Sequence, residues 1–249
     1  MIECKRAKKL FGRTRAQQEK WSKGFRDITL TIPDGQVVGI FGENGAGKST
    51  FMMALAGITD LTAGSILYDG KPVSEHYDAF AYISSEGSYF PDMTPAEYRD
   101  FLGSFFPCFD AKRYECLLSF FDLDASQKIG KMSTGQRAKL EIAAGMAKRA
   151  KYLLMDEPFL GKDIFTRRDF LKLMAGSLRG EETILIASHY VEELEPFIDR
   201  AIILHQSQLA ADVMLDDLRE QGETLTALLQ HATEYDAEKA LRLFADDEG

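Results

Sequence analysis

The chain has 249 residues, 45% of them hydrophobic, which suffices for one large cored domain or a core domain with a small appended lobe. The net charge of −9 repels nucleic-acid phosphates and anionic lipid, so neither is expected as a general partner. Cys4, Cys108 and Cys116, without a CxxC pair or clustered histidines, imply no disulfide framework or zinc site but reduced cytosolic thiols. Met1–Arg6 has no secretory-signal character, and no run approaches the ~18 apolar residues of a membrane span.

In chain order, Gly12–Lys23 is polar and basic and reads as a loop between two early strands. Ile28–Ile32 alternates as a strand, Pro33-Asp-Gly35 marks a turn, and Gln36–Phe41 is an apolar run of strand length. A glycine-rich loop follows, and then a helix over Thr50–Gly57. Ser65–Tyr68 reads as a strand running into the Asp69-Gly70 turn. The stretch from about 86 to 150 is helical and reads as an inserted subdomain. Thr94-Pro-Ala-Glu97 predicts a capping box with a proline start for a helix to about Phe105. Asp110 caps a second helix through Phe121, and Ser133-Thr-Gly-Gln136 opens a third to about Arg149. Strands return at Tyr152–Met155, Thr183–Ile186 and Arg200–Leu204, with a helix ending near Gly180 between the first two. This alternation predicts an α/β fold with a parallel sheet. A helical, acidic extension is expected over 216–249, after a main domain over 1–215.

Three motifs carry chemistry. Gly42-Glu-Asn-Gly-Ala-Gly-Lys-Ser49 matches the phosphate-loop pattern G-x-x-x-x-G-K-[ST] between a strand and a helix. Its glycines, Gly42, Gly45 and Gly47, let backbone N–H groups curl around phosphate oxygens, and Asn44, Ala46 and Thr50 complete the cradle at the helix start. Lys48 is suited to the β- and γ-phosphates and Ser49 to Mg²⁺. Asp156-Glu157-Pro158 ends an apolar strand, where carboxylates are costly unless a metal or ligand compensates them. Asp156 is the candidate Mg²⁺ partner and Glu157 the candidate general base. Met132-Ser-Thr-Gly-Gln-Arg137 offers a hydroxyl and free N–H groups at a helix start.

The three in this order resemble the nucleotide-binding domain of ABC transporters, whose signature is commonly Leu-Ser-Gly-Gly-Gln, over about residues 1–215. The resemblance implies a P-loop NTPase core: a parallel sheet flanked by helices, an N-terminal antiparallel β element and the inserted α-helical subdomain. It gives Leu160-Gly-Lys-Asp163 the place of the D-loop, His189 that of the switch histidine, and Tyr82–Thr94 that of the Q-loop. ATP and Mg²⁺ are the implied cofactors. Two copies, or this chain and a sister ATPase, would sandwich ATP, with Ser133, Gly135 and Gln136 of one completing the site of the other. Phe11 is the candidate adenine-stacking ring and Trp21 the alternative. The partner would be a separate membrane-spanning permease docked on about 83–130, with the chain peripheral at the cytoplasmic face of the cell membrane. The wording Tyr89-Phe-Pro-Asp-Met-Thr94 is closer to bacterial exporter-type subunits than to binding-protein-dependent importers.

Ser85 stands where the family carries a metal-contacting glutamine, and would reach Mg²⁺ only through a water, or yield to Glu86. Thr134 replaces the first signature glycine, and Phe159, Leu160 and Lys162 are unusual in the D-loop region. The alternatives are a soluble ABC-type ATPase in assembly or nucleic-acid processes and a nucleotide sensor that hardly hydrolyses. About 85 residues between Lys48 and Ser133 leave no room for the long coiled coil of chromosome-type members.

Overall fold

The computed structural model describes residues 1–12, 24–84, 87–158, 170, 171, 174 and 182–233. Two sheets form. The first is antiparallel: β1 (Ile2–Leu10), β2 (Gly24–Ile32), β4 (Ala63–Tyr68) and β5 (Lys71–Pro72), in the order β2-β1-β4-β5. The second contains β3 (Val37–Phe41), β6 (Phe80–Ser84), β7 (Tyr152–Asp156), β8 (Thr183–Ala187), β9 (Arg200–His205) and β10 (Gln208–Met214), in the order β10-β9-β3-β8-β7-β6. It is parallel from β9 to β6, with β10 antiparallel at one edge. All five residues of β7 and of β8 are buried, as continuous apolar runs in a parallel sheet covered on both faces require.

Two cores flank this sheet. One joins the antiparallel sheet to α1 (Lys48–Leu55) through Ile28, Ile32, Phe51, Leu55 and Tyr68. The other joins the opposite face to α2 (Pro95–Phe105), α3 (Ala111–Phe120) and α4 (Thr134–Ala147), and also takes in the helical residues Phe170, Leu171 and Met174. The chain's last described elements, α6 (Leu215–Glu220) and α7 (Leu225–Ala232), bury Leu215, Leu218 and Leu225 in this second core; a short α5 (Val191–Leu194) precedes them. Residues 234–249 of the expected acidic extension lie outside the described residues.

The helix starts follow their capping residues. Thr94 and Glu97 form both halves of a capping box, Asp110 accepts from the Arg113 N–H at 2.9 Å, and Ser133 and Gln136 form the second box. Several elements differ from the sequence reading. α1 starts at Lys48 rather than Thr50, because the Phe51 N–H already reaches the Gly47 carbonyl at 2.8 Å, winding the first turn onto the loop. α4 stops at Ala147 rather than Arg149, whose φ of 55° is left-handed and whose guanidinium is held by Asp110 at 2.7 Å. β6 and β10 are strands beyond the sequence reading: Phe80–Ser84 runs into the Tyr82–Thr94 segment given the place of the Q-loop, and β10 is a half-exposed edge with a weak pattern.

Parallel register brings the ends of β3, β8 and β7 side by side, Ile40 opposite Ala187 and Ala187 opposite Asp156, so the loops after them meet at the carboxyl edge where such sheets bind ligands. On the other face, Gly145 lets α4 lie directly on β6, since a Cβ there would fall 2.4 Å from Ile83 Cδ1. Gly145→Val should destabilise the chain by about 1–3 kcal/mol by overpacking. Combining it with Ile83→Ala should recover most of that in urea unfolding; equal losses with and without Ile83 would place the strain elsewhere.

Candidate functional site

The loop after β3 adopts the conformation its glycines permit. Gly42, Gly45 and Gly47 have φ of 145°, 86° and 102°, and a Cβ at Gly42 or Gly47 would lie 2.1 Å from the Leu204 carbonyl oxygen or 2.4 Å from that of Gly24. Lys48 is folded back under the loop, Nζ donating to the Gly42 carbonyl at 2.8 Å and the Glu43 carbonyl at 3.3 Å. It is buried, and burial lowers its pKa, opposed by the charges of Glu157 and Asp156.

The carboxylates at the end of β7 face this lysine. Ser49 Oγ donates to Asp156 Oδ1 at 3.1 Å and the Tyr82 hydroxyl to Oδ2 at 3.3 Å. Burial pushes the Asp156 carboxyl above its ordinary range against the pull of those two bonds. Glu157 has a left-handed φ of 48°, its N–H held by the Ala187 carbonyl at 2.9 Å. This turn aims the side chain between two partners: Oε1 is 4.0 Å from Lys48 Nζ, and Oε2 is 3.0 Å from His189 Nδ1. His189 is placed by the preceding Ser188, a buried residue whose N–H donates to the Ile40 carbonyl at 3.1 Å.

Lys48, Ser49, Thr50, Glu157, Gly24 and Phe11 line a cavity of about 340 Å³, to which Asn44, Gly45 and Gly47 also contribute. Phe11 is 43% exposed, with Lys9 Nζ 5.3 Å over its ring. Ala46 is buried within the loop, and Gly42 adjoins His189 in a neighbouring cavity. Ser133, Gly135 and Gln136 do not line the phosphate cavity. They form the start of α4, where Ser133 Oγ accepts from the Gln136 N–H at 3.2 Å and the side chains of Ser133 and Thr134 face solvent. Ser85, Glu86, Trp21 and the D-loop residues Phe159–Asp163 lie outside the described residues.

Tyr82 was missed as a site residue. The signal was in the strand period: Tyr82 sits opposite Leu154, and Asp156, two residues on, shares that face of the sheet.

The fold and this loop define a nucleoside-triphosphatase built on a phosphate loop. The family model described as ABC transporter matches residues 25–160. ABC transporter ATP-binding protein YtrB of Bacillus subtilis (strain 168) is 30% identical over 200 residues, 79% of this chain and 68% of that protein. ABC transporter ATP-binding protein NatA of the same organism is 30% identical over 82% of this chain and 87% of its own length. A solved ATP-binding subunit of an ABC transporter superposes with a TM-score of 0.80 at 26% identity, covering 93% of this chain and 99% of that one. The chain belongs to the ABC transporter family, as an ATP-binding and ATP-hydrolysing subunit. The comparisons support transport rather than the assembly or nucleic-acid alternative.

A pH dependence follows from Asp156. Its folded pKa is raised above the ordinary 3.8, so the folded chain holds a proton that the unfolded chain has released, and stability falls as pH rises through the window just above 3.8. Lys48, shifted downward from 10.5, contributes a rise in stability at alkaline pH only. Urea unfolding from pH 4 to 7 should therefore show Asp156→Asn losing part of the decline seen in the nucleotide-free wild type. Parallel profiles would remove Asp156 as its source.

Proposed function

We propose that the chain hydrolyses MgATP at sites shared between two copies, or with a sister ATPase, and thereby drives a separate membrane-spanning permease. The contacts that join Ser49 to Asp156, and Lys48 and His189 to Glu157, beside the cavity that Lys48, Ser49 and Glu157 line, carry this reading, together with the position of the Ser133 helix start away from that cavity. In this reading Lys48 exchanges the Gly42 and Glu43 carbonyls for the β- and γ-phosphate oxygens, which suit an ammonium better in so dry a place. Phe11 offers the adenine ring a stacking face, with Lys9 steadying it.

The donor set fits Mg²⁺. Ser49 Oγ and the Asp156 carboxylate are hard oxygens already 3.1 Å apart, and no group of three or more metal-binding side chains occurs among the described residues. Mg²⁺ takes such sparse protein ligation when substrate phosphates supply the remainder, and when bound it neutralises developing phosphate charge. Ser85 would act through a water. Glu157 accepts a proton from the attacking water, and His189 orients it through the 3.0 Å contact while facing the γ-phosphate. The Thr134 and Gly135 N–H groups, without intrahelical acceptors, and the Ser133 and Gln136 side chains complete the γ-phosphate site of the second copy.

Among the described residues no helix is long and apolar enough to cross a membrane. The helical region exposes Phe90 (46%), Phe105 (67%) and Phe120 (49%), an apolar surface within the proposed permease-docking segment 83–130 and its borders. In this reading the chain sits peripherally at the cytoplasmic face of the cell membrane, bound to its permease.

Shared sites predict that Lys48→Ala and Ser133→Arg are each inactive in steady-state ATP hydrolysis and that mixing them restores partial turnover, since one intact site forms per mixed pair. Ser133→Arg at wild-type rate, or a rate per chain independent of protein concentration, would contradict sharing between copies of this chain.

A further inference from the structure

Among the described residues two carboxylates are buried, Asp156 and Glu141, and only the first is bonded to a residue of the phosphate loop, Ser49. Glu141 lies on α4 eight residues beyond Ser133, about 12 Å along the helix axis. Its Oε2 accepts from Ser88 Oγ at 3.0 Å, and the Ser88 backbone N–H also faces the carboxylate. The Tyr98 hydroxyl of α2 engages the same Ser88 side chain. Ser88 thus stands between α2 and α4, on the segment that links β6 to the helical region. The start of that segment is fixed by Gly87, whose φ is 73° and whose N–H reaches the Ser84 carbonyl at 3.4 Å. Ser84, in turn, pairs with Asp156 across the sheet.

Packing alone does not call for a carboxylate at position 141. The other oxygen, Oε1, is buried without a hydrogen-bond partner, and Lys148, at the end of α4 and near enough for its charge to act on Glu141, rests on the Phe106 ring at 4.3 Å. A buried carboxylate served on one side costs stability relative to an apolar side chain of similar size. What it supplies is direction: a bond that holds one segment in one register on α4.

We infer that Glu141 is a positioning residue that, through Ser88, fastens the segment leaving β6 to α4, so that the strand end beside Asp156 and the helix start at Ser133 shift together. This rests on the shared-site reading, in which Ser133 must meet a second copy's nucleotide. The bond gives α4 a mechanical connection to the Asp156 edge at a point away from both phosphate-contacting ends.

The variants are Ser88→Ala, Glu141→Leu, their combination, and Glu141→Gln, which keeps an acceptor for Ser88 and removes the charge. Two readouts are taken on the full chain: amide hydrogen exchange at residues 87–90, and kcat and KM for ATP hydrolysis with Lys48→Ala as the inactive reference. Ser88→Ala and Glu141→Leu should each speed exchange at 87–90 by about tenfold, the effect of losing one hydrogen bond to an ionisable group. They should lower kcat several-fold at unchanged KM without lowering the thermal midpoint of Glu141→Leu, and the double variant should add nothing to either single one. Glu141→Gln should retain most of the wild-type values. Unchanged exchange at 87–90, or single effects that simply add, overturns the fastening. Faster exchange with wild-type kcat overturns its bearing on turnover. A wild type no more active than Lys48→Ala would instead strike the ATPase reading, and the exchange measurement still decides the fastening.

Discussion

The rest of the site depends on a cation and two carboxylates held at the dry end of a parallel sheet. Lys48 and Asp156 are both buried, and the sheet offers neither a full set of partners: Lys48 leans on two backbone carbonyls, Asp156 on a serine and a tyrosine hydroxyl. Burial shifts both toward neutrality, Lys48 downward and Asp156 upward. Under the proposed function, a phosphate chain carrying a divalent cation would answer both deficits at once. The free chain would then store unfavourable desolvation that substrate binding relieves, and that relief would be available to drive a change of shape.

The two cores divide the labour around this point. The core of α1 and the antiparallel sheet holds the phosphate loop, with Gly47 packed against the Gly24 carbonyl. The core of α2, α3 and α4 holds the helix start at Ser133, and it meets the sheet through α4 on β6 at Gly145 and through Ser88 and Glu141. Asp156 and Glu157 stand on the strand between them. Phosphate grip and helix start thus belong to differently packed bodies that share one sheet, an arrangement suited to relative motion.

Local chemistry made much of this legible from sequence. The phosphate loop, the Asp156-Glu157 pair and the three capped helices each announce themselves within a few residues, because glycine spacing, capping boxes and apolar runs are local signals. His189 was singled out only through family resemblance, and its 3.0 Å contact with Glu157 depends on strand register and on the left-handed turn at Glu157. Tyr82 and Glu141 were not legible, since each acts across the sheet or between helices on a residue more than 50 positions away. β10 escaped because an edge strand with half its residues exposed carries little hydrophobic pattern.

If MgATP completes the buried charges around Lys48 and Asp156, its binding stabilises the folded chain through them. Thermal unfolding of the wild type and of Lys48→Ala across rising MgATP tests it most directly. The wild-type midpoint should climb steadily with the logarithm of nucleotide concentration, reaching the equivalent of about 2.7 kcal/mol at one hundred times the dissociation constant, while Lys48→Ala stays nearly flat. A wild-type midpoint indifferent to MgATP, or a Lys48→Ala midpoint that climbs equally, would contradict it.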